Sequence, residues 1–425
     1  MIQRRTLLGA ALAAPVVLRT QNAATLNFYY PATAGDPVQM VIDGYCADFQ
    51  RESGITVTPL YAGNDGETLT KVMDAIRAGQ GPHLAVLPAA EMHGLRASDT
   101  VVSLDEIGLD DAAQRWLAGF YPAFMVNSRA GGRTWSVPFQ RFTMVAYYNK
   151  TALEQGGIKP TYFPVTWTEL ADTAGELVKR TADGRVTRWG LGMAADLGHA
   201  QDTFGALANQ AGQKLMNEAG NQTYFDAPKT IEALTYWRDL ASKYRASSPG
   251  VSTCSSLALD FLQGDVAIIW HTSRMLTAMR DKAGFPCGVA TPPGKESPHT
   301  VVGGGNLYIL KNANSPERIA SLRFARWLSA PERAADWSVR TGFIATSPAA
   351  YEMPALKDFM AQFPEAAIVR DSVPLAAGAL STFENQRIRK ALTDQIQAAL
   401  TGVKDPAQAM ADAQAESTRI LKPFQ

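Results

Sequence analysis

The stretch Trp135-Ser-Val-Pro-Phe-Gln-Arg-Phe-Thr-Met-Val-Ala-Tyr-Tyr-Asn-Lys150 constrains the fold of this chain more than any other. It opens as a short apolar strand that breaks at Pro138. Gln140, Arg141 and Phe142 follow, and they suit neither a core nor a plain surface. A second strand, Met144 to Tyr148, then runs into a turn and a helix at Asn149 to Leu153. Two strands joined by a proline-punctuated polar and aromatic link predict a segment crossing between two lobes. Residues at such a crossing face the cleft between the lobes, where small-molecule sites preferentially form.

The chain upstream alternates between strand and helix periods. Leu26 to Tyr30 reads as a strand, and Val38, Val41, Ile42, Tyr45 and Phe49 recur at helical spacing up to Gly54. Ile55 to Tyr61 is the next strand, Glu67 to Ala78 a helix, and His83 to Leu87 a third strand. This alternation predicts a parallel sheet wrapped by helices. Ligands of such sheets sit on the loops after the strands, here at Tyr30, around Asp65, and at Pro88 to Glu91. Downstream, helices are expected over Thr166 to Arg180, Ala200 to Ala211, Ile231 to Arg245 and Leu257 to Gln263. Strands are expected at Gly190 to Met193 and Val266 to Trp270, and the C-terminal remainder is helical, with amphipathic stretches at Ile388 to Leu400 and Pro406 to Leu421.

At 425 residues there is length for two cores, and 46% hydrophobic with 19% charged residues suits a soluble globular protein. Basic and acidic residues balance at 40 each, so no charge excess points to nucleic acid or an anionic membrane. The N-terminus differs: Arg4-Arg5 precedes an apolar run from Gly9 to Leu18, with small residues at Ala23-Ala24. Residues 1–24 read as a cleaved export signal, and the arginine pair suggests the twin-arginine route. An apolar run of about a dozen residues is short of the ~20 needed to span a bilayer. Cys46, Cys254 and Cys287 have no metal-ligand spacing; either Cys254 bridges to Cys287, or all three are buried free thiols.

Several residues are candidates for ligand contact. Gly303-Gly304-Gly305 lies between apolar runs that read as strands, which is the wrong setting for a phosphate loop and the right one for close backbone approach, with Asn306 beside it. Thr272-Ser273-Arg274 follows a buried strand and leads a helix, where Thr272 or Ser273 is a credible cap and an anion could sit. Arg141 could hold a carboxylate or phosphate by paired hydrogen bonds, or make an inter-lobe ion pair. Trp270, Phe142, Phe343 and Tyr30 could offer aromatic faces to a sugar ring or a quaternary ammonium. No metal-binding spacing involves the five histidines, no Gly-x-Ser-x-Gly elbow occurs, and no cofactor is implied. A secreted hydrolase would instead need two convergent carboxylates with separated pKa values.

Pro138-Phe139, then Tyr147-Tyr148-Asn149-Lys150, an amphipathic helix and the Thr166-Trp-x-Glu-Leu170 segment resemble the extracellular solute-binding proteins of ABC importers. Within them the chain looks most like the glycerol-3-phosphate- and maltose-binding group. Later landmarks agree in order: the helix-Gly264-Asp265-strand unit, the return crossing at Val301 to Leu310 and the Thr341-Gly-Phe343 turn. The resemblance implies an α/β, two-lobed periplasmic-binding-protein fold, each lobe a mainly parallel sheet flanked by helices. Residues 25–138 plus 305–345 would form lobe 1, and 145–300 plus 350–425 lobe 2, with crossings near 139–144 and 300–305. It further implies a monomeric, periplasmic, non-enzymatic protein that hands a small polar solute to a membrane permease. A glycerol phosphate or its diester is slightly favoured, with a sugar or oligosaccharide as the alternative.

From the residue readings and the resemblance together, the candidate ligand site comprises Tyr30, Asp65, Pro88, Gln140, Arg141, Phe142, Trp270, Ser273, Arg274, Gly304, Gly305, Asn306, Phe343 and Arg387. Departures from the family pattern fall on this set. Asp65 stands where glycerol-3-phosphate binders carry Tyr, Pro88 where they carry an acid, and Arg141-Phe142 where they carry small hydroxyl residues. The Thr-Gly-Tyr turn has become Thr341-Gly-Phe343, the family's second-lobe Trp pair has no counterpart near Met193 to Thr203, and its cleft-facing Arg is matched only by Leu380, Ser381 or Arg387 as candidates.

Overall fold

The structure is a computed structural model and describes residues 25–32, 37–295 and 298–425; the proposed export signal lies outside the described residues. Alternation in Thr25–Tyr30 (β1) puts Leu26, Phe28 and Tyr30 inward. The helix Val38–Ser53 covers them with the stripe read from the sequence, and Gly54 ends it in the left-handed conformation. Thr56–Tyr61 (β2) and Leu84–Pro88 (β3) both pair parallel with β1. Between them the helix Asp65–Arg77 starts from a reciprocal cap in which Asn64 and Glu67 bond each other's backbone N–H. Arg129–Ala130 (β4) and Arg133–Thr134 (β5) form a small hairpin.

Val137–Asn149 (β6) is a single thirteen-residue strand rather than two strands broken at Pro138. Its first part pairs with Thr300–Ile309 (β11), and its last part pairs with Val266–Thr272 (β9) and Cys287–Ala290 (β10). Pro138 is accommodated because the register against β11 shifts beside it, between Gly305 and Asn306. Beyond β9 lie Val186–Met193 (β8), parallel to it, and Lys179–Arg180 (β7) at the edge, while Ala376–Ala377 (β12) flanks β11. The expected helix to Arg180 therefore stops at Glu176, because the chain turns to supply β7.

The sheet order is β2-β1-β3-β11-β6-β9-β8-β7, so β6 and β11 are shared by two halves of one curled sheet. The first half packs Phe28 against Phe324 of the helix Ser315–Leu328, ring centroids 5.6 Å apart. The second half buries Trp270, Phe204 and Trp237 with Ile388, Leu392 and Met410 of the C-terminal helices Asn385–Leu400 and Pro406–Leu421. Where the shared strands meet, no side chain fits. Gly304 has φ +98°, and a Cβ there would come within 1.9 Å of the Gln140 carbonyl oxygen.

Candidate functional site

A cleft of about 760 Å³ opens between the two halves, within the range of small-molecule sites. Its floor is the pair of shared strands: Gln140 and Phe142 from β6, and Gly303 to Gly305 from β11. Gln140 is anchored by donating Nε2 to the Pro31 carbonyl at 3.2 Å. One wall is built at the ends of β2 and β3, with Asp65 at a helix start, Pro88 as the last residue of β3 and Glu91 after it. The opposite wall brings His199, Gln201 and Asp202 from around the start of the helix Ala200–Gln210, Cys254 from the start of Cys254–Gln263, and His271 from β9. Arg274 and Phe343 close one end, the guanidinium lying 4.8 Å over the ring; Arg389 stands among the lining residues from the C-terminal helices. A second depression of about 570 Å³, around Trp189, Arg238, Asp260 and Asp265, lies on the second half alone, so closing the cleft would not enclose it.

Of the fourteen residues singled out from the sequence, Asp65, Pro88, Gln140, Phe142, Arg274, Gly304, Gly305 and Phe343 line the cleft. The others are placed elsewhere. Arg141 is fully buried on the other face of β6, because successive strand residues point to opposite sides. It donates to the Gly304 carbonyl (3.4 Å) and Asn306 Oδ1 (3.3 Å) and lies 5.3 Å from the Phe124 ring centre. Asn306 belongs to the same sealed network, donating to Ser128 and Ser136 hydroxyls at 3.0 and 2.9 Å. Tyr30 and Trp270 are core residues. Ser273 is buried, and its Oγ accepts from Thr143 N–H at 3.2 Å; a 3₁₀ turn, Ser273–Met275, separates it from the helix Leu276–Lys282, and no side chain caps at Thr272. Arg387 is exposed and pairs with Glu384 at 3.3 Å.

The electrostatics centre on Arg389. Asp65 is exposed to the cleft, and the protein mass around that cleft acts to raise its pKa by desolvation, against the pull of Arg389 and His199. Burial likewise raises Glu91 and Asp202, with Arg389 opposing in both cases. Glu91 is held across the cleft end by Asn385, whose Nδ2 donates to it at 3.2 Å. Arg389 itself donates to the Leu197 and Gly198 carbonyls at 3.2 and 3.5 Å, while its Nε is buried without a partner. Burial disfavours the charged form of His199, but hydrogen bonds to Asp196 and Cys254 win and lift its pKa to about 10. Among the described residues, no group of three or more His, Cys, Asp or Glu is arranged to hold a metal ion, and all three cysteines are free.

Sequence reasoning put Glu91 and His271 in candidate loops but missed His199, Asp202, Cys254 and Arg389. A signal existed for one of them: the helix Ala200–Gln210 is buried almost all round, and an acid inside such a helix is unusual enough to flag. No local pattern marks Arg389, which reaches the cleft only through packing of the C-terminal helices.

The chain's likenesses agree with this geometry. The sn-glycerol-3-phosphate-binding periplasmic protein UgpB of Escherichia coli O1:K1 is 24% identical over 438 residues, covering 99% of this chain and 98% of that one. UgpB of Salmonella typhimurium is 25% identical over 445 residues, with the same coverage. Among solved structures, UgpB of Mycobacterium tuberculosis in complex with glycerophosphocholine superposes with a TM-score of 0.81 at 19% identity, covering 95% of this chain and 99% of that one. The cyclic α-maltosyl-1,6-maltose-binding protein of Arthrobacter globiformis gives 0.80 at 19% identity, covering 94% and 100%. These neighbours share the two-lobed fold seen here, and the family model for bacterial extracellular solute-binding proteins matches residues 44–364. With three quarters of its length inside that match, the chain belongs to the bacterial extracellular solute-binding protein family.

Proposed function

We propose that this protein captures a small, hydroxyl-rich neutral solute, a sugar or short oligosaccharide, and delivers it to the permease of an ABC importer. The observation that carries the choice of solute is the convergence of Asp65, Glu91 and Asp202 on one cavity that also offers the Phe142 and Phe343 rings. Carboxyl groups accept and donate hydrogen bonds to hydroxyls, and aromatic faces cover the apolar side of a pyranose. A phosphate dianion would meet those same acids, at roughly 4 kcal/mol of repulsion per pair of unit charges at 4 Å and an effective dielectric constant of 20. The arginine expected to offset them, Arg141, is sealed behind β6. A solute touching both walls stabilises the closed form by its differential affinity, and that form is what the permease would recognise.

A phosphate ester is the second reading, supported by Arg274 and by the unpartnered Nε of Arg389, and by the glycerol-3-phosphate-binding relatives. Periplasmic residence fits the family and its periplasmic relatives, and the Arg4-Arg5 pair supports twin-arginine export. Replacing both arginines by lysine should abolish periplasmic accumulation, whereas undiminished export would point to the general route.

The deciding measurement is a thermal shift of the ligand-stripped mature protein with mono- and disaccharides, glycerol-3-phosphate and glycerophosphocholine. A solute at a hundred times its Kd adds about 2.7 kcal/mol to stability. Sugars are expected to raise Tm. A rise with phosphate esters alone would establish the second reading, and no rise with either class would overturn both.

A further inference from the structure

Solute capture leaves one cluster on the cleft wall without a role. Cys254 is the first residue of a ten-residue helix, and its Sγ lies 2.9 Å from His271 Nε2. His271 Nδ1 accepts the Thr272 backbone N–H at 2.9 Å, which fixes the ring proton on Nε2, toward the sulfur. On the other side Asp196 bridges the group. One carboxylate oxygen lies 3.1 Å from His199 Nδ1 and the other accepts the Cys254 backbone N–H at 3.2 Å. His199 also hydrogen-bonds the thiol. Cys254, His199 and His271 all face the cleft. Cys254 is 9% exposed and Cys287 more so, so what sets Cys254 apart is its place at a helix N-terminus beside imidazole donors on the cleft wall, surroundings that activate a thiol.

The other two thiols supply the contrast. Cys46 is packed in the first half's apolar core, and Cys287 lies on β10. Burial pushes both up to about 12. Burial also acts to raise Cys254, but the hydrogen bonds from His199 and His271 outweigh it and bring it down to about 7.

We propose that Cys254 is a reactive thiolate built into the cleft wall, a site of reversible modification by peroxides and other small electrophiles that shuts the cleft to its solute. With a peroxide, the thiolate sulfur attacks one oxygen, an S–O bond forms and the O–O bond breaks. Sulfur loses two electrons to the peroxide, and the departing hydroxide or alkoxide takes a proton from the His199 imidazolium or from water. The product is a sulfenic acid; one external thiol condenses with it to a mixed disulfide, releasing water, and a second displaces the first as a disulfide and restores the Cys254 thiol. The sulfenic oxygen would add bulk and polarity at the cleft wall that Cys254 lines. The effect on capture rests on the solute-binding reading above; the reactivity of the thiol does not.

The test is peptide mapping of the mature protein after brief exposure to iodoacetamide across pH 5.5–9. Cys254 should label at least tenfold faster than Cys46 and Cys287 at pH 6.5, with its rate half-maximal near pH 7. The variant His271→Ala should move that midpoint upward, toward the ordinary thiol value of about 8.5. Hydrogen peroxide followed by dimedone should tag Cys254 alone. Equal labelling of the three cysteines in the wild-type chain overturns the proposal, whether or not His271→Ala folds. The last arm adds a solute that has raised Tm. Protection of Cys254 supports the closing of the cleft, while selective labelling without protection leaves the reactive thiol standing and removes the solute from this wall.

Discussion

The two faces of β6 meet opposite surroundings. On one, Gln140 and Phe142 open onto the cleft; on the other, Arg141 is closed into a network with Asn306, the Gly304 carbonyl and the Phe124 ring. The first face lines an open cavity of about 760 Å³. The second holds a cation that no solvent reaches, with its Nε and one terminal nitrogen unpartnered. Residues one step apart in sequence thus face the cleft and the sealed interior respectively, and the strand pleat decides which is which.

Substitutions can break or sharpen this contrast. The largest effect is expected where the shared strands touch. Gly304→Ala puts a methyl group 1.9 Å from the Gln140 carbonyl at positive φ and should lower the unfolding free energy by about 3 kcal/mol or more. Gly54→Ala, also at positive φ but in open space, should cost only about 1–2 kcal/mol, so equal losses in urea titrations would deny the tight crossing.

Arg141→Ala comes next. It leaves a cavity and orphans Asn306 Oδ1, at about 2–4 kcal/mol of stability, yet solute affinity measured calorimetrically should change less than threefold. A tenfold affinity loss with stability intact would put Arg141 in the binding site. Gln140→Ala should do the reverse, with affinity falling about tenfold, or 1.4 kcal/mol, and stability moving by about 1 kcal/mol at most. The smallest effect is expected at Arg387, whose exposed pair with Glu384 predicts less than about 0.5 kcal/mol on replacement by alanine and no change in affinity. Arg389→Ala, two residues on, should weaken binding, and identical behaviour of the two variants would dissolve the assignment of Arg389 to the cleft.

Much of the frame was legible in the chain. Strand and helix periods located β1, β2 and β3 and the helices between them to within a few residues, because apolar side chains at period 2 or 3.6 must share one face. The crossing at residues 135–150 is legible from its composition, and the alternation of strands and helices points to the loops after β2 and β3, which line the cleft. Arg141 could have been placed by the same rule: flanking Gln140 and Phe142 on one face put it on the other. Arg387 and Arg389 were separable only in part. Two helix positions lie about 200° apart, so only one of the two can face inward, but the helical period alone does not say which.

The chain by itself determined which segments are strands, which are helices, and that two α/β units are joined through a polar and aromatic link. These outcomes follow from local periodicity and from caps such as Asn64 with Glu67 and Thr166 with Glu169. Tertiary structure alone decided that β6 runs unbroken through Pro138, since the bulge that admits the proline exists only against β11. It also decided that Arg389 and the Cys254 cluster meet Asp65 and Glu91 across one cavity. Those groups are distant in sequence, and no local interaction encodes their approach. The packing of two halves around a shared pair of strands brings them together.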